Sequence, residues 1–180
     1  LSAERWWELL DYLVDASAAG HEPQVADHPA ARQLLTGELP LALSYLLPEL
    51  RTPRRLRDGA RRELTSGILK WISPEGVWPS QQSPSIWALL ASWTRCRAIG
   101  ARLRRGCWDE PAELRYRQAL VQALRLCDRT SCLGAADVSG ARGTENFWRA
   151  ATAGSGMPGL ATLVDEALGT KLARRALTRR

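Results

Sequence analysis

A chain of 180 residues with 45% apolar and 24% charged side chains suits one domain that buries about 70% of its unfolded surface. No apolar run approaches the roughly 18 residues of a bilayer span, and the longest, Leu39 to Leu47, is interrupted by Pro40 and Ser44. The net charge of +6 rests on arginine, since Lys70 and Lys171 are the only lysines, and it admits an acidic polymer as partner without demanding one.

The cysteines Cys96, Cys107, Cys127 and Cys132 form no C-x-x-C pair and lie far from His21 and His28, so neither a metal nor a cofactor is expected. Cys96 and Cys127 fall on apolar helical faces and read as small buried hydrophobes; a Cys127–Cys132 bridge in an oxidising compartment is the alternative. The chain opens on Leu1 and its single methionine is Met157, so we expect residues 1–180 to form one helical domain within a longer chain.

Residues 3–19 place Trp6, Trp7, Leu9, Leu10, Leu13 and Val14 on one helical stripe, with Glu4, Glu8, Asp11 and Asp15 on a solvated opposite face. Residues 20–29 form a polar connection that holds both histidines. A short helix is predicted from Pro29 to Leu35, broken by Gly37, with an apolar segment from Leu39 to Leu50. The basic run at Arg51–Arg57 reads as a helix start, with Thr52 as cap, Pro53 in the first position and the arginines outermost. Leu56, Ala60, Leu64, Ile68 and Trp71 then mark a buried stripe that ends near Ile72.

Pro74, Gly76 and Pro79 make residues 73–83 a turn-rich loop, and Ser83-Pro84 opens the next helix. Residues 84–105 are apolar over a wide arc through Ile86, Leu89, Leu90, Trp93, Cys96, Ile99 and Leu103, the most core-like segment of the chain. Gly106–Asp109 is a short connection, and Pro111 starts a helix that runs to Cys127. A polar loop over 128–143 leads to a short helix opened by Thr144 or Asn146 and ending at Ala153. Residues 154–180 read as peripheral C-terminal helical pieces. No segment reads as a strand, so the class is all-α.

Trp87 and Trp148 each head an apolar helix after a turn-rich loop, 61 residues apart, which is the spacing of a helical-hairpin array. Such antiparallel hairpins stack as a solenoid or curl into an α/α toroid. Here an incomplete ring is expected, with 84–105 on the inside and 53–72 and 111–127 outside. The long loops then share one rim, gathering Trp78, Gln81, Gln82, Arg129 and Asn146. Indole faces stack on sugar C–H bonds, amides read hydroxyls and arginine meets carboxylate or sulfate. The competing expectation folds Trp78 and Trp148 back onto the helices beneath them.

The segments Leu39-Pro40-Leu41, Leu46-Leu47-Pro48-Glu49-Leu50, Gly67 to Gly76 with Trp78-Pro79, and Leu89 to Ala98 resemble the heparinase II/III-like polysaccharide lyases. The resemblance covers residues 30–150, the N-terminal toroid portion of that family, and its motifs are packing and turn patterns. It implies a parent that acts on or binds uronic-acid-containing glycans, with β-elimination by a Tyr/His pair. It also implies a β-rich C-terminal domain in the rest of a larger chain, and a periplasmic or secreted protein; without it, a cytoplasmic one. No catalytic residue can be matched here, because Tyr12, Tyr45 and Tyr116 occupy helical positions and no histidine follows His28. The alternative is a non-catalytic helical-repeat module for a protein partner. Nucleic acid is the least favoured ligand, since the arginines scatter among Asp58, Glu63, Asp109 and Glu113; a continuous basic face joining Arg54, Arg57 and Arg61 would argue the other way.

Overall fold

The computed structural model describes residues 2–80, 83–130 and 146–153, together with Gly159, Thr162 and Val164. Every regular element among them is helical. In chain order these are α1 (Ala3–Ala19), α2 (Pro23–Ala26), α3 (Pro29–Arg32), a π-helical stretch (Gln33–Glu38), α4 (Leu39–Leu46), α5 (Arg51–Trp71), α6 (Ser83–Gly100), α7 (Glu110–Thr130) and α8 (residues 146–152). Among the described residues no helix is long and apolar enough to cross a membrane.

The core is centred on α6, as its wide apolar arc predicts. Ile86, Leu89, Leu90, Trp93 and Cys96 are buried and meet Leu64, Ile68 and Ile72 of α5 and Tyr116, Ala119, Leu120 and Ala123 of α7. The helix ends at Gly100 rather than reaching residue 105, and Gly100 abuts Cys107 so closely that there is no room for a Cβ. The α6–α7 pair is antiparallel: Thr94 hydrogen-bonds Tyr116 Oη at 2.8 Å, and Arg97 Nε donates to Glu113 at 3.0 Å. The α5–α7 pair is parallel, since Thr65 meets Asp109 while Leu69 and Ile72 meet Arg115. Against α6 lies α8, where Trp87, Phe147 and the buried Trp148 form an edge-to-face aromatic cluster with centroids 5.0–6.5 Å apart.

Two further expected boundaries are corrected. Gly37 does not break the chain. The helix runs on through the π-helical stretch into α4, because Gly37 is where Leu64 of α5 approaches, 2.7 Å from any added Cβ. The wide turns fall just before Pro40, whose ring in a regular α-helix would collide with the Thr36 carbonyl. Likewise α5 starts at Arg51, with Leu50 in the cap position and Thr52 and Pro53 inside the first turn. Proline is tolerated there because the N–H groups of the first turn have no intrahelical partner anyway.

On α1 the carboxylate row is exposed as expected, but the apolar stripe is only half used. Leu10 and Ser17 are buried, whereas Trp6 and Trp7, in the first turns, are 42% and 51% exposed.

One buried polar contact locks three elements. Gln33, 2% exposed, accepts from Trp93 Nε1 of α6 at 2.9 Å and donates to the Glu63 carbonyl of α5 at 3.1 Å. Gly67 leaves the space that the Gln33 carboxamide fills, and a methyl group there would overlap it. Gly67→Ala should therefore destabilise the fold by about 1–3 kcal/mol through overpacking. Gly59→Ala, in the same helix with nothing within 4 Å of the added Cβ, should stabilise it by about 0.5–1 kcal/mol. Urea denaturation midpoints moving in opposite directions would check both.

Candidate functional site: an arginine-lined groove on α5

Of the residues expected on the rim, the structure describes the side chains of Trp78 and Asn146. Trp78 is half-buried and packs against the core, and Asn146 is exposed at the start of α8. Gln81 and Gln82 lie outside the described residues, as does the side chain of Arg129, whose backbone belongs to the last turns of α7. The loop after α5 is fastened to α7 instead of opening outward. Ser73 Oγ accepts from the Glu75 and Val77 amides at 3.3 Å, and Arg115 of α7 donates to the Leu69 and Ile72 carbonyls at 2.6 and 2.9 Å. Gly76 completes the turn at φ +80°, pressed on the Gln118 backbone, so both its conformation and its lack of a Cβ are used.

Sequence reasoning missed a second polar centre at the α6–α7 contact. Glu113 accepts from Arg97 Nε at 3.0 Å, Arg117 Nε at 2.7 Å and Trp108 Nε1 at 2.8 Å. Burial raises its pKa, but the bonds from Arg117 and Trp108 and the charge of Arg97 outweigh this and hold the carboxyl below the usual range. Beside it is a cleft of about 670 Å³ lined by Thr94, Arg97, Cys107, Trp108, Glu113 and alanines of α6 and α8. Its polar groups are engaged in packing contacts. Burial pushes the Cys107 thiol up to about 12, and Cys96 and Tyr116 are raised by burial as well, so none is an ionised nucleophile near neutral pH. Cys96 and Cys107 are both free thiols. No signal in the local sequence pairs Glu113 with Arg97, because the two meet only across the helix hairpin.

The concentrated charge lies on the wet side of α5. Arg54, Arg57, Asp58, Arg61, Arg62, Thr65, Ser66, Leu69 and Lys70 recur at three- and four-residue steps and so form one stripe. Two depressions occupy it. One, of about 750 Å³, runs along Asp58, Arg61, Arg62, Thr65, Ser66 and Lys70 to Asp109. The other, of about 300 Å³, lies between Arg54, Arg57, Asp58 and Arg61 and the connection residues Leu103 to Gly106. Asp58 and Arg61 line both, so the two make one groove about 24 Å long at 1.5 Å rise per residue.

The groove's wall is held by the residues that line it. Arg61 Nη2 donates to the Arg105 carbonyl at 2.7 Å, and the Asp109 amide donates to Thr65 Oγ1 at 3.4 Å, which straps the α6–α7 connection to α5. Gly106 lets that connection turn at φ +66°. Arg57 is fixed by the Ser44 carbonyl at 3.1 Å. Seven cations (Arg54, Arg57, Arg61, Arg62, Arg104, Arg105, Lys70) thus face two carboxylates, Asp58 and Asp109. The basic face joining Arg54, Arg57 and Arg61, which on the sequence argues for nucleic acid, is present, and Arg104 and Arg105 extend it from an element that the sequence did not connect to it. No group of His, Cys, Asp and Glu among the described residues could hold a metal ion. No protein-family model, curated protein or solved structure matches this chain.

Glu113 yields a pH test. Its contribution to stability is fully present above the ordinary carboxyl value of 4.5 and is lost as pH falls through the depressed folded-state value. Glu113→Gln should cost about 1–3 kcal/mol at pH 7. Denaturant titrations should show that penalty shrinking as the pH is taken down from 5 to 3.

Proposed function

We propose that the protein is a binding module for an acidic glycan that lies along the α5 groove. The observation that carries this reading is the single groove in which Asp58 and Arg61 join two depressions, with seven cationic side chains along about 24 Å. Arginine forks suit carboxylate and sulfate groups, while Thr65, Ser66 and the Asp58 carboxylate suit sugar hydroxyls. The basic face alone would also admit a nucleic acid strand, and one feature of the lining weighs against that. Among the described residues the groove lining holds no aromatic side chain on which a base would stack.

The resemblance to heparinase II/III-like lyases supports a uronic-acid-containing polymer, and the α6–α7 hairpin is compatible with an arc of an α/α toroid within such a parent. The proposal gives no reaction to residues of this chain. A protein-interaction module is the second reading, and one observation favours it: Trp6, Trp7, Leu9 and Tyr12 of α1 are 42–70% exposed.

Calorimetry with oligomers of a polyuronate and of a sulfated glycan tests the proposal. Binding should weaken about tenfold or more between 50 and 200 mM salt, and Arg62→Gln with Lys70→Gln should weaken it about tenfold, leaving the circular dichroism unchanged. Heat with a single-stranded oligonucleotide but with neither glycan would overturn the assignment.

A further inference from the structure

At one end the groove becomes a cage. Arg54, Arg57 and Arg61 come from successive turns of α5, and Arg104 and Arg105 face them from the connection across about 300 Å³, with Asp58 the only carboxylate in the lining. Five arginines lining so small a space repel one another unless anions lie between them. Yet among the described residues none of the five is in an ion pair. Arg57 and Arg61 are held by neutral acceptors, the Ser44 hydroxyl and carbonyl and the Arg105 carbonyl. Arg61 Nε is buried and has no acceptor at all. A buried cationic donor without a partner is a penalty in the folded state.

We infer that this cleft is a subsite for a tetrahedral oxyanion, a sulfate ester or phosphoryl group, in preference to a planar carboxylate. A carboxylate has two oxygens and is satisfied by one guanidinium fork in its own plane. A sulfo or phosphoryl group directs three terminal oxygens away from one another, so it can engage α5 on one side and the connection on the other. The opening past Asp58 and Arg61 leads the attached chain into the wider depression. The inference rests on reading the α5 groove as a glycan site, and it names the substituent that the groove selects.

The test uses the full chain at low ionic strength, with inorganic sulfate, inorganic phosphate and glucuronate as probes. Arg54 and Arg104 are exposed, so Arg54→Gln with Arg104→Gln should leave the fold intact. Sulfate or phosphate should bind about tenfold more tightly than glucuronate, and that double variant should lose about tenfold in affinity. Arg62→Gln with Lys70→Gln should change the same affinity by less than about twofold. Tighter sulfate binding identifies a sulfated glycan as the source, and tighter phosphate binding a phosphorylated polymer. Equal affinity for glucuronate, or wild-type affinity in the Arg54/Arg104 variant, overturns the inference. If a polyuronate still binds through Arg62 and Lys70 while neither ion binds, the subsite falls and the groove reading stands; if no polymer and no ion binds, both fall.

Discussion

The carboxamide of Gln33 is the contact on which the rest of the arrangement depends. Buried amides are stable only when donor and acceptor are both answered, and here the answers come from two different helices, Trp93 of α6 and the Glu63 carbonyl of α5. The contact requires Gly67 on α5, and the π-helical stretch carries the Gln33 side chain toward it. Rotation of α5 about its axis would bring a larger side chain onto Gln33 in place of Gly67. With that rotation set, Leu64 and Ile68 face inward, and the arginines at positions 54, 57, 61 and 62 have only the outside left.

The charge of the chain is consequently not spread evenly. Arg32, Arg95, Arg97 and Arg117 are matched by Glu63, Glu38 and Glu113; the first three pairs stitch elements together, and Arg117–Glu113 lies within α7. Arg57 and Arg61 of the groove are positioned by backbone carbonyls and a hydroxyl, which hold a guanidinium without cancelling its field. Two populations of the same residue type therefore do different jobs. The strap from Arg61 to Arg105 shows how close the two jobs can come, since one side chain both fixes the connection and lines the cleft.

Helical periodicity made α1, α5, α6 and α7 legible, because an amphipathic stripe needs only local spacing to be read. The turn chemistry of Gly76 and the breadth of the α6 apolar arc were equally local. The inference about Gly37 failed, and Trp78 followed its competing expectation by packing on the core. Gly37 reads as a helix breaker in isolation, and only the approach of Leu64 turns it into a packing device. Trp78 reads as a ligand platform on a loop, and only the approach of Gly76 to Gln118 and the Gln122 bond to the Glu75 carbonyl show that this loop lies on α7. The arginine cleft was half visible, since 54, 57 and 61 share a helical face. Its other wall, Arg104 and Arg105, lies more than 40 residues away along the chain, and nothing in a single sequence reports that approach.

The Arg115 guanidinium, reaching from α7 to the last carbonyls of α5, couples two helices that are separated in the chain by the whole of α6. Those carbonyls are ones that a helix terminus cannot satisfy itself. Fraying of α5 at that pole therefore exposes acceptors held by α7, so the two ends open together or not at all. In exchange experiments they would behave as a single cooperative unit, and the turn at Gly76 would be a rivet between them and not a hinge.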